Sequence, residues 1–470
     1  MSPVSISFDA PLLRKLGRPG PRYTSYPTAD RFHQQFGCHD YLGAVAARRL
    51  ARSAQPLSLS LYVHIPFCAS ICYYCACNKV ITQNVDKAAR YLDYLKREIT
   101  MQAALFGGMN RVDQLHLGGG TPTYLSDAQM EDLMAHLRRH FQFAPDAAGE
   151  YGIEVDPRTV TVERIASLRR QGFNRLSLGV QDYDEEVQRA VNRVQPAAQT
   201  QAIIDAARAS GYRSVNIDLI YGLPKQTIAT MAQTLEKVVA AGPDRIALYH
   251  YAHLPHLFKP QRMIVEADMP GPDTRLAMLG LAIERLTAAG YVYIGMDHFA
   301  RPDDALAVAQ RQGRLHRNFQ GYSTHADADL VAFGVSAIGA VGATYSQNAR
   351  HLAAYYAAID GNELPIERGI GLSMDDALRR TVIGRLMCHV DLSVAAVELG
   401  YPIVFADYFA AELAALRGLE ADGLVLVTPG WITVTPKGRL LIRNVCMVFD
   451  RYLPAPLAAP LPNARFSATV

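Results

Sequence analysis

The stretch that decides the fold and the chemistry is Tyr62-Val-His-Ile-Pro-Phe-Cys68-Ala-Ser-Ile-Cys72-Tyr-Tyr-Cys75-Ala-Cys77. It begins as an apolar strand and ends in a loop that has four cysteines within ten residues. The first three cysteines have the spacing C-x3-C-x2-C. An iron–sulfur cluster normally has four cysteine ligands, so three thiolates leave one iron open, and an open position is typical of catalytic metal centres. The loop therefore predicts a reactive, cubic iron–sulfur cluster.

Two other uses of clustered cysteines fit this chain less well. A structural zinc site normally takes four ligands in two separated pairs, but Cys38, Cys388 and Cys446 are single and scattered. Disulfide frameworks are typical of small secreted chains, whereas this chain has 470 residues and no recognisable secretory start. The cluster is favoured, and a structural zinc protein remains the alternative from a different class.

Composition places the chain among ordinary folded proteins, because half of its residues are hydrophobic and 19% are charged. A chain of 470 residues is expected to form two or more domains. Its net charge of +3 is too small to indicate nucleic-acid binding, and no apolar run predicts a membrane span. Reduced cysteines and a labile cluster predict a cytoplasmic protein.

Strands and amphipathic helices alternate from residue 59 onward. Glycines end four predicted helices, and an apolar run follows each of them: Gly172, Gly211, Gly242 and Gly290. This alternation predicts βαβ units and a parallel sheet. About six units fit between residues 59 and 296, fewer than the eight of a closed barrel. We therefore expect an α/β fold with an open, partial (β/α)6 barrel.

The predicted domains are an N-terminal arm (1–52), the partial barrel (53–300), a barrel-capping extension (301–365) and a C-terminal helical, winged-helix-like domain (366–470). The last is predicted from helices at 374–386 and 405–416 and a hairpin turn at Thr428-Pro-Gly430. Winged-helix domains often bind DNA, but a fold does not fix a function. Here we expect a substrate lid or a packing domain.

Motifs across the chain carry a family resemblance. Besides the cysteine loop they occupy residues 21–27, 118–123, 153–157, 191–193, 216–224, 295–300 and 316–321. The loop after a strand resembles the radical S-adenosylmethionine (SAM) superfamily. The motifs together resemble the oxygen-independent coproporphyrinogen III oxidases of that superfamily, over nearly the whole chain.

The resemblance implies a [4Fe-4S] cluster on Cys68, Cys72 and Cys75, and two SAM molecules per site. The cluster-bound SAM would contact Tyr62, Tyr74 (through its backbone), Gly119, Glu154 and Ile338. The second SAM would contact Gly120, Thr121, Gln181, Arg193, Asp218 and Ala252. The run Gly118-Gly-Gly120 could cradle a carboxylate with its N–H groups, or it could be only a tight turn.

Cys77, His64 and Tyr62 are predicted as catalytic residues. Three cysteines already suffice for the cluster, so Cys77 is expected not to be a ligand, and the alternative for it is a small buried hydrophobe. In the family, a cysteine here accompanies oxidase activity. His64 could tune the cluster or be a hydrogen-bonded strand histidine.

The resemblance implies an oxidoreductase of heme biosynthesis, which converts two propionates of coproporphyrinogen III to vinyl groups without oxygen and gives protoporphyrinogen IX. The expected electron donor is a small protein such as flavodoxin or ferredoxin. No nucleic-acid partner is expected, and the chain is expected to be a monomer. Alternatives on the same scaffold are a heme chaperone and a heme-degrading enzyme. A polyanionic substrate needs cations, for which Arg22, Arg262, Arg301 and Arg317 are candidates, although each could equally be a surface ion pair.

Overall fold

The computed structural model describes residues 6–51, 57–106 and 110–454, and the chain divides into two compact units. The terminal unit consists of Met1–Arg31, Pro272–Ala326 and Leu372–Val470. The barrel unit consists of Phe32–Gly271 and Asp327–Gly371. The chain therefore leaves each unit and later returns to it.

The elements are as follows, in chain order. The strands are β1 (Leu57–Ile65), β2 (Phe67–Cys68), β3 (Val80–Ile81), β4 (Asn110–Gly119), β5 (Gln142–Phe143), β6 (Glu150–Val155), β7 (Arg175–Gln181), β8 (Ser214–Tyr221), β9 (Arg245–His250), β10 (Val292–Gly295), β11 (His298–Ala300), β12 (His316–Asn318), β13 (Gly321–Ser323), β14 (Asp329–Phe333), β15 (Ile338–Val341), β16 (Thr344–Asn348), β17 (Ile366–Gly371), β18 (Asp391–Ser393), β19 (Val425–Val427) and β20 (Trp431–Val434). The helices are α1 (Ala10–Leu16), α2 (Cys38–Ala51), α3 (Asp86–Phe106), α4 (Asp127–His140), α5 (Val162–Arg170), α6 (Glu185–Ala190), α7 (Ala197–Ala209), α8 (Ile228–Ala241), α9 (Pro272–Ala288), α10 (Ala305–Arg311), α11 (Leu352–Asp360), α12 (Met374–His389), α13 (Val394–Gly400), α14 (Phe405–Tyr408), α15 (Ala410–Ala421) and α16 (Ile442–Val448).

The barrel unit is built on parallel strands that follow the chain order. β1, β4, β6, β7, β8 and β9 lie side by side in that sequence, each parallel to its neighbour. Helices connect each of these strands to the next. On the other side of β1, β14 is parallel to it, and β15, β16 and β17 continue the sheet antiparallel. The predicted α/β fold with a parallel sheet is confirmed, and six of its strands follow one another in chain order.

Local signals in the sequence set the ends of these elements. Ser126 begins α4 with a capping box, in which the Ser126 Oγ accepts from the Gln129 N–H at 3.2 Å and the Gln129 side chain accepts from the Ser126 N–H at 3.0 Å. Gly242 ends α8 in the left-handed region with φ +59°. The other three glycines predicted to end helices also have positive φ, a conformation that a Cβ disfavours.

A buried carboxylate joins α3 to the later strands of the barrel unit. Glu98 is 0% exposed, and its carboxylate accepts hydrogen bonds from the Gly334 N–H at 2.8 Å, Asn348 Nδ2 at 2.7 Å and the Tyr355 hydroxyl at 2.6 Å. Gln102 Nε2 donates a fourth at 3.1 Å. Burial raises the pKa of Glu98, and the four donors satisfy the carboxylate in place of water.

Tyr91, about two helical turns before Glu98 on α3, ties the same region to β1. Its hydroxyl donates to the His64 carbonyl at 2.7 Å and accepts from the Val335 N–H at 3.0 Å. The turn between β14 and β15 is therefore fixed to the carboxyl end of β1 through a side chain that is itself buried.

The terminal unit contains the predicted C-terminal hairpin. β19 and β20 are antiparallel across the turn at Thr428, and β18 pairs with the other edge of β20. The helix predicted over 405–416 is two helices, α14 and α15, because Phe409 between them leaves the helical region with φ −105° and ψ 28°.

The predicted domain boundaries differ from the two units. Residues 38–51, predicted within an arm, form α2 of the barrel unit. Only Tyr41 and Val45 of that helix are buried, so its apolar residues do not recur often enough for the helix to be recognised from the sequence. Residues 327–365, predicted as a cap, belong to the barrel unit, and residues 272–300, predicted within the barrel, belong to the terminal unit.

Among the described residues, none of the helices combines the length and the hydrophobicity that a membrane crossing requires.

We predict that Glu98→Ala lowers the free energy of unfolding by about 3 kcal/mol or more, because it leaves several buried donors without an acceptor. Urea denaturation monitored by circular dichroism measures the change. Glu131→Ala, on an exposed face of α4, is the matched control and should change the value by less than about 0.5 kcal/mol. Equal effects of the two substitutions would contradict the role given to Glu98.

Candidate functional site

One cavity of the barrel unit gathers most of the residues predicted to carry chemistry. Its volume is about 300 Å³, and it lies where the parallel strands reach their carboxyl ends. The predicted residues that line it are Cys68, Cys72, Tyr74, Cys75, Cys77, Gly119, Gly120, Thr121, Glu154, Gln181, Arg193 and Asp218. Residues from at least five strand ends therefore meet at one place, as expected for a barrel of this kind.

Hydrogen bonds shape the cysteine loop. The Thr121 hydroxyl lies 3.4 Å from Cys68 Sγ and donates to it. The Cys75 N–H donates to the Cys72 carbonyl at 3.2 Å and closes a turn. Lys79 Nζ donates to the Cys75 carbonyl at 3.1 Å. The four thiols of the loop line the cavity, and Lys79, which also lines it, holds the loop backbone.

Two arginines and one aspartate surround Cys72. Arg158 Nη2 and Arg193 Nη1 each lie 3.5 Å from Cys72 Sγ. Both guanidinium groups also pair with Asp156 Oδ2, at 2.6 Å and 3.1 Å. Burial would raise the pKa of Asp156, but the hydrogen bond from Arg158 and the charge of Arg193 outweigh it and hold that pKa below its ordinary value. Two cations are thus available to one carboxylate and to a neighbouring sulfur.

Cys77 is the fourth thiol of the loop. It is exposed, which is inconsistent with the alternative that it is a small buried hydrophobe. A hydrogen bond from its thiol lowers the pKa of Cys75 to about 6. The same bond raises the pKa of Cys77. Cys75 and Cys77 are therefore neighbours with different tendencies to ionise.

Glu154 and Asp218, two carboxylates at strand ends, also differ in their pKa. Burial would raise the pKa of Glu154, but hydrogen bonds from His116 Nε2 at 3.1 Å and the Gly119 N–H at 3.2 Å help to hold it below its ordinary value. Burial and the charge of Glu154 raise the pKa of Asp218 to about 6. Glu154 is therefore ionised at neutral pH and can accept hydrogen bonds. Asp218 becomes protonated at a higher pH than Glu154 does.

The glycine run at the end of β4 fits the alternative of a tight turn better than that of an anion cradle. The N–H groups of Gly120 and Thr121 donate at 2.8 Å to carbonyls of the β1–β2 segment, and that of Gly119 donates to Glu154. A Cβ on Gly119 (φ +114°) would lie 2.6 Å from the His64 ring, and one on Gly120 would lie 2.7 Å from the Pro66 carbonyl. The glycines are needed because two chain segments approach closely.

Tyr62 and His64 are not among the residues that line the cavity in the described part of the chain. The Tyr62 hydroxyl lies 3.1 Å from His64 Nδ1, and His64 Nε2 lies 3.0 Å from the Asn78 carbonyl. Both ring nitrogens of His64 are thus engaged, and burial lowers its pKa. The Tyr62 ring stacks on His116, the partner of Glu154. Both residues lie behind the glycine turn and support it.

Ala252 and Ile338, the last two predicted residues, also lie outside the described lining of the cavity. Gln261 Nε2 donates to the Tyr74 carbonyl at 3.1 Å and to the Ala252 carbonyl at 3.2 Å, so one side chain joins these two backbone positions. Ile338 is the first residue of β15 and follows the turn that Tyr91 and Glu98 hold.

Ten of the described lining residues were not predicted, and those with a charged, hydroxyl or phenol group are Ser70, Lys79, Asp156, Arg158, Thr159, Ser177 and Tyr249. Asp156 could have been found, because it stands in the motif 153–157 and directly follows β6. Arg158 and Lys79 carry no signal of their own in the sequence, since a single cation near a loop is usually a surface group.

Comparison with known proteins agrees with this geometry. The model of the Radical SAM superfamily matches residues 62–238. An oxygen-independent coproporphyrinogen III oxidase of Pseudomonas aeruginosa is 50% identical over 466 residues, which cover 99% of each chain. One of Escherichia coli is 52% identical over 453 residues, covering 96% of this chain and 97% of that one. The solved coproporphyrinogen III oxidase of Escherichia coli, described as a Radical SAM enzyme, superposes with a TM-score of 0.90 at 50% identity, covering 96% of this chain and 100% of that one.

Proposed function

The chain belongs to the oxygen-independent coproporphyrinogen III oxidase family of the Radical SAM superfamily, and we propose that it converts two propionate side chains of coproporphyrinogen III to vinyl groups without oxygen, as an oxidoreductase of heme biosynthesis. The observation that carries this proposal is the single cavity in which three thiols with C-x3-C-x2-C spacing meet the carboxyl ends of the parallel strands.

The residues present fit the [4Fe-4S] cluster and the SAM that the superfamily implies. Cys68, Cys72 and Cys75 are free thiols on one cavity. In the described residues, no three His, Cys, Asp or Glu side chains are close enough together to hold a single metal ion. A cubic cluster does not require such a group, because each thiolate bonds to a different iron. Arg158 and Arg193 would offset the negative charge that thiolate ligands bring.

When bound, the cluster and SAM supply the one-electron chemistry that removes a hydrogen atom from an unactivated carbon, which side chains alone do not perform. The protein's own part is to bind and orient SAM and the substrate and to exclude water. Glu154, ionised and turned to the cavity, would accept hydrogen bonds from hydroxyl or ammonium groups of SAM. Thr121 orients Cys68, and the glycine turn fixes the distance between the cysteine loop and β4.

We propose two SAM molecules per site, because members of both predicted sets of contacts line one cavity. Gly119, Glu154 and Tyr74 of the first set line it together with Gly120, Asp218 and other members of the second. Support for a ligand beside Arg193 comes from its Nε, which is buried and makes no hydrogen bond within the described chain. A ligand carboxylate would satisfy that donor.

The predicted catalytic residues have separate roles in this proposal. Cys77 is exposed beside Cys75 and acts in turnover without binding iron. Tyr62 and His64 act as positioning residues, through Glu154 and the glycine turn. The proposals of a flavodoxin or ferredoxin as electron donor and of a monomer are supported by the family resemblance alone. The proposal of a cytoplasmic location is supported by the reduced cysteines and the labile cluster.

The test of the proposed function is anaerobic incubation of the reconstituted protein with coproporphyrinogen III, SAM and a reductant, followed by chromatography of the oxidised porphyrins. Protoporphyrin is the expected product, with 5′-deoxyadenosine formed alongside. Heme binding without a vinyl product would instead favour a chaperone, and opening of the heme ring would favour a degrading enzyme.

We predict that Cys72→Ser loses the cluster, whereas Cys77→Ser keeps about four irons per chain and loses turnover by about 100-fold. Iron and acid-labile sulfide analysis, combined with the product assay, separates the two outcomes. Cys38→Ser is the matched control, because Cys38 is a free thiol outside the described cavity lining, and it should change neither quantity. A fully active Cys77→Ser would contradict the role of Cys77.

We predict that Arg193→Ala lowers the SAM bound per chain from about two to about one, because a fork that pairs with a carboxylate is lost. Equilibrium dialysis of the cluster-loaded protein measures the stoichiometry. The fold should survive, since Arg158 still pairs with Asp156. Arg189→Ala, whose exposed side chain pairs with Glu185, is the control. An unchanged stoichiometry in Arg193→Ala would count against the assignment.

A further inference from the structure

Arg158 lines the cavity of the barrel unit but has no place among the SAM contacts proposed above. Its Nη2 donates to Cys72 Sγ at 3.5 Å, and its side chain is only 17% exposed. Arg193 Nη1 lies at the same distance from that sulfur, but Arg193 already has a proposed ligand. A second, largely buried guanidinium therefore lies beside one predicted iron ligand without an assigned role.

The Asp156 carboxylate fixes the position of Arg158. It caps the short turn of Pro157–Thr159 and accepts from the Arg158 backbone N–H at 3.0 Å. It also accepts from Arg158 Nε at 3.0 Å and from Nη2 at 2.6 Å. Main chain and side chain of Arg158 are thus bound to the same carboxylate. The guanidinium is therefore held beside Cys72 by the protein itself and needs no ligand to place it.

The charges beside Cys72 do not balance. Arg158 and Arg193 carry one positive charge each, and both pair with Asp156. Burial would raise the pKa of Asp156, but the two arginines hold it below its ordinary value, so this carboxylate carries one negative charge at neutral pH. The three groups together leave an excess of one positive charge next to the Cys72 sulfur. A thiolate that ligates an iron–sulfur cluster would supply the missing negative charge.

The other two predicted iron ligands have different partners. The Thr121 hydroxyl, which is neutral, donates to Cys68 Sγ at 3.4 Å. Lys79 adds a positive charge near Cys75, and its ammonium donates to the Cys75 carbonyl at 3.1 Å. Arg158 combines a full positive charge, burial and a direct contact with a ligand sulfur, and it has no proposed contact with SAM.

We propose that Arg158 raises the reduction potential of the cluster held by Cys68, Cys72 and Cys75, so that a low-potential one-electron donor can reduce it. The inference rests on the cluster that the proposed function requires. Reduction moves one electron from the donor to the cluster, so the donor is oxidised and the cluster becomes more negative by one charge. A fixed positive charge and an N–H···S hydrogen bond stabilise the more negative form more than the oxidised form. Arg158 acts through Cys72 and is not assigned to substrate binding.

The test is a redox titration of the cluster-loaded protein without SAM or substrate, with dithionite as reductant and electron paramagnetic resonance of the reduced cluster as readout. At the midpoint potential of the wild type, the ratio of reduced to oxidised cluster should be about tenfold lower in Arg158→Gln, which corresponds to about 59 mV for one electron. Arg158→Lys keeps a positive charge but loses the fork, so its ratio should fall only about threefold. Arg170→Gln is the control, because it removes a positive charge from an exposed position of α5, and it should leave the ratio unchanged.

Iron and acid-labile sulfide analysis accompanies the titration. Both Arg158 variants should keep about four irons per chain, since Arg193 still pairs with Asp156. A ratio in Arg158→Gln equal to that in Arg170→Gln would overturn the inference. Loss of the cluster from both Arg158 variants would also overturn it, because Arg158 would then serve cluster assembly and not its potential.

The measurement separates this inference from a structural role and from the proposed function. A purely structural role would lower the unfolding temperature of Arg158→Gln and leave the midpoint potential at the wild-type value, which contradicts the inference. A wild type that holds the cluster but forms no vinyl groups would refute the proposed function alone, because the titration requires no turnover.

Discussion

The contact between the end of β1 and the turn after β4 is the constraint on which the site depends. Two hydrogen bonds of 2.8 Å run from the turn to the Ile65 and Phe67 carbonyls, and there is no space for a Cβ on Gly119 or Gly120. This contact sets where the cysteine loop begins. It also places the Thr121 hydroxyl against Cys68 and the Gly119 N–H against Glu154, so the metal-binding loop and the carboxylate share one rigid support.

The features that could be predicted from the sequence are those encoded over short stretches. The alternation of strands and helices, the glycines at helix ends and the spacing of the cysteines each lie within one or two elements. The return of β14 to β1 and the buried bonds of Glu98 could not be predicted, because they join segments that are far apart in the chain. Helix α2 could not be predicted for a related reason, because few of its residues are buried and its stability comes from packing rather than from a regular pattern of apolar residues.

Burial together with the neighbouring charges and hydrogen-bond partners, rather than residue type, decides what the charged groups can do. Glu154 and Asp218 are both carboxylates at strand ends. His116 and a backbone N–H help to keep the first ionised, while burial and the charge of Glu154 raise the pKa of the second. Arg193 is satisfied in part by Asp156, and Arg317 has no such partner in the described chain. A sequence shows each of these as a candidate with equal weight, since neither enclosure nor the nearest opposite charge can be read from it.

The pairing of Leu59 with Asp329 has a consequence for how the polypeptide is made. Translation delivers β1 early, but the neighbour on one of its sides emerges only after the whole of residues 272–326, which belong to the other unit. Until then one edge of β1 presents unpaired backbone N–H and C=O groups, a template for pairing with other chains. The nascent chain is therefore prone to aggregation for most of its synthesis. A stop codon before β14 is complete leaves that edge of β1 permanently unpaired.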